Sequence, residues 1–293
     1  MTNKDLDLFG NPIERNLLLR DKYGEPPFSV INTQTGSWHA RKKLWKALGI
    51  KSEVGRNENL LGYSGTFITE DMKAKGHNGT SVFDPVLCEL LYRWFCPEEG
   101  HILDPFAGGS VRGIVAHYLG YKYSGIELRS EQVDSNRQQA ASILDLNNQP
   151  QWYKGDSAKL LQDYWQQKFD LLFTCPPYMN LEVYSDDPAD LSNMTDSGFT
   201  DAYESIIFHA VKQLKKDAFA IFVIGDVRDK RTGFYKDFIG ITKNAFFKAG
   251  WGLYNDCILL EALGMAAVKA DRTFSSKKKL VKVHQNILIF QKR

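Results

Sequence analysis

Leu103-Asp104-Pro105-Phe106-Ala107-Gly108-Gly109-Ser110 decides how the chain is read. The apolar run His101–Phe106 has the length of a buried strand. From Ser110, residues Val111, Ile114, Val115, Tyr118 and Leu119 recur on one helical face until Gly120 stops them. Strand, glycine turn and helix form the unit from which parallel sheets are wound. Glycines let the backbone approach a ligand, and a helix start offers free N–H groups. The turn is not GxGxxG, and a pyrophosphate would be repelled by Asp104. An acid at a strand end suits a cationic or hydroxyl-bearing ligand instead.

Outward from this turn the alternation continues. A helix covers about 84–96; a strand follows at 122–127, a helix at about 130–145, a short strand near 151–154 and an apolar strand at Phe169–Thr174. Thr200 reads as the cap of a helix carrying Tyr203, Ile206, Ile207, Ala210, Val211 and Leu214. Ala218–Ile224 is the next strand and 235–249 the next helix. Two last strands, 252–261 and 280–290, flank a loop with Lys277, Lys278 and Lys279. The pattern predicts an α/β fold: a mainly parallel sheet covered on both faces, with an antiparallel pair at one edge. Such a sheet binds its ligand beyond the carboxyl ends of its strands, where strand order reverses. Residues 1–80 differ, being rich in Gly, Asn, Thr and Ser. They hold one short helix at 38–48, with Trp38, Lys42, Trp45 and Leu48 on a face, and 62–80 reads as loop. The chain thus divides into an N-terminal extension, 1–80, and a domain, 81–293.

The 293 residues are 43% hydrophobic and 25% charged, which excludes a collagen-like or broadly disordered chain and leaves material for a real core. No apolar run approaches the roughly 18 residues of a membrane span. The opening MTNKDLDLFG lacks the basic-then-apolar order of a signal peptide. Cys88, Cys96, Cys175 and Cys257 form no CxxC and no metal-like spacing with His, which argues against a structural zinc site and a disulfide scaffold and for a reducing cytoplasm. A net charge of +2 is too even to imply a nucleic-acid partner. That inference must come from where the charges sit.

Three further signals stand at predicted strand ends. Glu127 ends its strand 23 residues after Asp104, close to the spacing at which Rossmann-type sheets hold ribose hydroxyls. Asp156 follows the strand at 151–154, placed to accept from an adenine amino group. The sharpest is Thr174-Cys175-Pro176-Pro177-Tyr178. Two prolines after a buried strand make a rigid turn with no N–H to donate, so carbonyl oxygens are left pointing into the crevice. Beside the flat face of Tyr178, that wall of acceptors suits the exocyclic amino group of a planar base.

The order DPFAGGS, IELR, GD, TCPPY resembles the S-adenosylmethionine-dependent amino methyltransferases of DNA, the N6-adenine/N4-cytosine group. The resemblance covers about 81–293. Ser81-Val82-Phe83-Asp84-Pro85 is similar to the family's methionine-side segment, and Lys282–Phe290 to its last strand. The cofactor segment preceding PPY resembles the gamma-like motif order, and the whole looks like methylases carried by phages and mobile elements, including those of restriction–modification. The resemblance implies a Rossmann-like class I methyltransferase fold, with S-adenosylmethionine as cofactor and no metal. Phe83, Asp84, Pro85, Asp104, Phe106, Gly108 and Gly109 would surround the methionine part, Glu127 would take the ribose hydroxyls and Asp156 the adenine. Cys175, Pro176, Pro177 and Tyr178, with Thr174, would form the target-base site. The family pattern has Asp, Asn or Ser before PPY. Cys175 departs from it as a near-isostere of serine, which leans toward cytosine N4 over adenine N6.

The implied partner is double-stranded DNA, with the target base extruded from the duplex. Phosphate contacts are expected from three basic runs: Arg41, Lys42, Lys43 and Lys46, which would make 1–80 a DNA-contacting arm; Arg228 and Arg231; and Lys277, Lys278 and Lys279. The acidic stretch after PPY, with Glu182, Asp186, Asp187, Asp190 and Asp196, is expected to be a mobile lid. Competing readings are an RNA or tRNA amino methyltransferase, a nicotinamide-dependent oxidoreductase, which lacks its GxGxxG, and a non-catalytic nucleic-acid-binding module. Covalent catalysis by Cys175, as in cytosine-C5 methylation, would need the reverse Pro-Cys order.

Overall fold

The computed structural model describes residues 23–51 and 83–293, except 146, 148, 164, 166, 167, 180–184, 230 and 265. Ser81, Val82, Glu182 and the stretch 62–80 lie outside the described residues. The core is an eight-stranded sheet built from β1 (Val30–Asn32), β2 (His101–Asp104), β3 (Lys122–Glu127), β4 (Gln151–Lys154), β5 (Phe169–Thr174), β6 (Leu214–Ile224), β7 (Trp251–Leu260) and β8 (His284–Lys292). Their order is β1-β7-β8-β6-β5-β2-β3-β4. Among the described strands, only β8 is antiparallel to its neighbours, β6 and β7. The last two strands therefore pair as expected, but β8 is inserted between β6 and β7, and the outermost strand on that side is β1, parallel to β7.

The helices are α1 (Gly36–Ala47), α2 (Pro85–Phe95), α3 (Val111–Tyr118), α4 (Ser130–Ile143), α5 (Ser157–Leu160), α6 (Asp196–Lys212), α7 (Phe238–Lys248) and α8 (Ala266–Lys277). Two apolar clusters cover the sheet. One gathers α2 and α3 with Trp38, Trp45 and Trp152, and the other gathers α6 and α7 with Phe199, Tyr203, Phe222 and Phe246. Gly113 makes the first possible, since a Cβ there would stand 2.5 Å from the Trp152 ring. Asp84 caps α2 by accepting from Val86 N–H at 2.9 Å, and Pro85 occupies the first turn, where a missing N–H costs nothing.

Several boundaries differ from the sequence expectation, each for a local reason. The cap of α6 is Thr195, whose hydroxyl accepts from Gly198 N–H at 3.2 Å; Thr200 lies inside the helix and donates to the Asp196 carbonyl. The expected loop between the last strands contains α8, none of whose residues is buried. The greatest difference concerns residues 30–51, which do not stand apart as an arm. β1 extends the sheet, and Ile31, Trp38, Trp45 and Ile50 are buried in the same core as α2. Trp45 Nε1 donates to Glu89 at 2.8 Å, so this part of the chain is joined to the domain by burial and by polar pairing.

Candidate functional site

Strand order reverses beside β2, which has β3 on one side and β5 on the other. A cavity of about 570 Å³ opens there, beyond the carboxyl ends of these strands. After β2 it is lined by Phe106, Gly108 and Gly109, after β3 by Glu127, and after β4 by Gly155 and Asp156. Cys175, Pro176, Pro177 and Tyr178 line it after β5, and Phe83 and Asp84 approach from the start of α2. Eleven residues expected from the sequence thus share one wall system. Gly108 has φ +51, a conformation L side chains rarely adopt, and nothing lies within 4 Å of where its Cβ would be. The turn is open to a ligand at backbone level.

Three expected residues do not reach the cavity. Asp104 is fully buried, and its carboxylate is consumed by protein donors: Arg112 Nε and the Tyr123 hydroxyl (2.7 Å) on one oxygen, the Thr174 hydroxyl (2.6 Å) and Phe106 N–H (3.1 Å) on the other. A ligand ammonium would have no lone pair left to meet. Thr174 is buried with it, as a donor to Asp104 and not as an acceptor for substrate. Pro85 is buried in the first turn of α2.

Electrostatics divide the cavity. At the β3–β4 end, Glu127 accepts from Arg129 N–H at 3.0 Å and Asp156 caps α5 through Ala158 N–H at 2.8 Å. Burial raises the Glu127 pKa, the Arg129 N–H and charge oppose the rise, and Asp190 adds to it. Asp190 is itself buried, accepting from the Ser185 hydroxyl and from both Ser192 N–H and hydroxyl, and it lines the cavity with Leu191. The segment expected as an acidic lid is therefore, over 185–193, a hydrogen-bonded part of the cavity wall. At the other end, Tyr178 donates its hydroxyl to Gln285 Oε1 at 3.2 Å, and Gln285 Nε2 donates to Glu261 Oε1 at 2.7 Å. Burial raises the Glu261 pKa against that hydrogen bond. Burial likewise raises the Cys175 pKa despite the nearby Arg112 charge, so the thiol stays protonated at neutral pH.

Sequence reasoning missed Arg112, Asp190, Glu261 and Gln285, all of which line the cavity. Lys42 was expected to face DNA phosphate. Lys42 lines the cavity and pairs with Asp84 at 2.8 Å, an oxygen it shares with Trp38 Nε1. Arg41 pairs with Glu89 and donates to the Tyr23 carbonyl. Lys43, Lys46, Arg231, Lys277 and Lys278 are exposed, Lys279 is half-buried, and Arg228 stacks on the Tyr235 ring at 3.7 Å. Among the described residues no group of three or more His, Cys, Asp or Glu could hold a metal ion, and no helix is long and apolar enough to cross a membrane.

Leaving β1 aside, the strand order with β8 between β6 and β7 is that of a Rossmann-like methyltransferase fold. No protein-family model and no curated protein sequence matches the chain. Solved structures similar to it include TrmN from Thermus thermophilus, 15% identical over 82% of this chain and 53% of that one, with a TM-score of 0.48. This chain thus spans about half the length of TrmN. Magnesium protoporphyrin IX methyltransferase from Synechocystis PCC 6803 with bound S-adenosylmethionine is 13% identical over 86% and 97%, with a TM-score of 0.47. The ribosomal protein L11 methylase from Lactobacillus delbrueckii subsp. bulgaricus is 15% identical over 71% and 78%, with a TM-score of 0.44.

Proposed function

We propose that the chain is an S-adenosylmethionine-dependent methyltransferase acting on an exocyclic amino group, cytosine N4 or adenine N6, of a base extruded from double-stranded DNA. The observation that carries this reading is the single cavity that joins the Gly108–Glu127–Asp156 end to the Cys175–Tyr178 wall at the strand-order reversal. The residues fit the cofactor. The open Gly108 turn admits a ligand against backbone, Glu127 would supply a carboxylate for ribose hydroxyls, and Asp156, which lines the same cavity, would accept from the adenine amino group. When bound, S-adenosylmethionine supplies an electrophilic methyl group.

The chain's own residues prepare the amine. An exocyclic nitrogen is a weak nucleophile because its lone pair is delocalised into the ring. The Pro176 carbonyl, freed by the absence of N–H groups at Pro176 and Pro177, accepts one amine hydrogen and favours a pyramidal nitrogen. Tyr178, held at its hydroxyl by Gln285, offers a ring face to the base. Stacking recovers about 1–3 kcal/mol, against an extrusion cost of about a few kcal/mol. Cys175, protonated, lines the site and takes no covalent part.

Double-stranded DNA as partner is supported by charge next to the cavity. Lys282 lies 6.0 Å from the Tyr235 ring on which Arg228 stacks, and it is near enough to Glu261 to shift its titration. Exposed Arg231, Lys277 and Lys278 offer further basic side chains, whereas Arg41 and Lys42 are engaged within the fold.

The test is transfer from methyl-labelled S-adenosylmethionine to separate DNA and RNA pools, followed by nucleoside analysis. Labelled N4-methylcytosine or N6-methyladenine from duplex DNA is expected. Label only in RNA would move the substrate class, and label in neither would sink the proposal.

A further inference from the structure

Arg112 is a charged residue of the cavity wall that the proposed reaction leaves unused. It projects from the first turn of α3 and its side chain is 6% exposed. A guanidinium carries five N–H donors. Nε donates to Asp104, and Nη2 donates to the carbonyls of Phe106 (2.6 Å) and Ala107 (2.8 Å). The two N–H groups of Nη1 have no hydrogen-bond partner among the described residues. The side chain nevertheless lines the cavity, its guanidinium carbon 4.8 Å from the Phe83 ring centroid and its charge felt at Cys175. Burial is the largest influence and opposes its charge, but Asp104, Tyr123 and Cys175 together more than offset it, and the pKa stays above the ordinary arginine value.

We propose that Arg112 is the anion-recognition point of this cavity, and that Nη1 binds the carboxylate of the ligand's amino-acid end. The cation is fixed by Asp104 and two backbone carbonyls, so little side-chain freedom is lost on binding, and the side chain is almost wholly buried. The opposite end carries Glu127, Asp156 and Asp190, which suit hydroxyls and an amino-bearing ring and repel a carboxylate. The two ends therefore set the ligand's direction as well as its affinity. Asp104, expected to hold the ligand directly, acts instead by orienting Arg112.

This rests on the S-adenosylmethionine reading, and the experiment separates the two. Calorimetric affinities are measured for S-adenosylmethionine and for decarboxylated S-adenosylmethionine, which keeps the amine and lacks only the carboxylate. The wild-type protein is expected to prefer the former by about 10- to 100-fold, the range for a charge-assisted pair. Arg112→Lys, checked for folding by thermal melting, is expected to lose most of that preference while keeping affinity for the decarboxylated compound. If Lys is not tolerated, Arg112→Gln carries the same comparison, and the wild-type ratio stands without either variant. Equal affinities in wild type, or an undiminished preference in a folded variant, overturn the assignment. Binding of neither compound overturns the cofactor reading itself.

Discussion

The hydroxyl of Tyr178 lies 3.2 Å from Oε1 of Gln285, tying the turn after β5 to the start of β8 across 107 positions of sequence. The tie fixes the ring on one wall of the cavity, with Phe238 meeting it edge-on at 6.1 Å. Tyr178→Ala is expected to lower turnover sharply and leave S-adenosylmethionine affinity nearly intact. Tyr178→Phe loses the hydrogen bond to Gln285, about 1 kcal/mol, along with a weak 3.9 Å contact with the Cys175 thiol, and is expected to retain most activity. Steady-state rates with calorimetric cofactor affinity check both, and a fully active Tyr178→Ala would remove the stacking role.

Cys175 is expected to tolerate serine. A protonated thiol lining the site is a weak hydrogen-bond partner, and a hydroxyl of similar size is a better one. Cys175→Ser should keep activity or raise it, and wild type should not be trapped on DNA containing 5-fluorocytosine. A folded, cofactor-bound but inactive Cys175→Ser would show covalent chemistry instead.

Asp104→Ala is expected to act on the fold first. It strips the buried Arg112 of its counter-charge, a loss in the range of about 3–5 kcal/mol. Urea unfolding should show the midpoint falling before any ligand is added. Unchanged stability together with lost cofactor affinity would return Asp104 to the ligand.

Arg41 and Lys43 lie two positions apart on α1 with opposite expectations. Arg41→Gln breaks the contact with Glu89, which is buried and also holds Trp45, and should destabilise by about 1–3 kcal/mol. Lys43→Gln, at an exposed position, should leave the midpoint within about 0.5 kcal/mol. Equal effects would show that the Arg41–Glu89 pair contributes nothing.

His101 gives a pH signature. Burial, with help from Lys122, lowers its pKa from 6.5 to about 4, and its ring contacts the Ser124 hydroxyl at 2.9 Å. Between these values the unfolded chain binds a proton that the folded chain does not, so stability falls as pH drops from 6.5 toward 4. Partial exposure reduces the effect to roughly 1–2 kcal/mol. His101→Gln should flatten that part of the stability–pH curve, and an identical slope would locate the titration elsewhere.

The sheet was readable where apolar runs were long and each ended in a distinctive turn: β2 before Gly108, β3 before Glu127 and β5 before Pro176. β1 has three residues, too few to show a period, and its pairing with β7 joins positions more than 200 apart. The cavity's strand-end residues followed from that same logic. Arg112 did not, because a charge beside the apolar stripe of α3 reads as a solvated helix face. Asp104 was misread in the complementary way, since nothing local shows that three side chains and a backbone N–H saturate it. Glu261 and Gln285 enter the cavity only through the β7–β8 pairing.

β1 also bears on what the margin of the sheet presents to other chains. Among the described residues it covers only Ile258, Leu259 and Leu260 of β7, which leaves the remainder of that strand at the boundary of the described sheet. Along that remainder the β7–β8 register shifts between Leu253 and Asn255, and Asn255 and Asp256 are exposed. An irregular, acid-bearing margin is a poor template for another chain's backbone, whereas the Ile-Leu-Leu end is a good one. Removal of residues 23–51 would uncover that sticky end together with the apolar surface beneath Trp38 and Trp45, and the shortened protein should self-associate in light scattering.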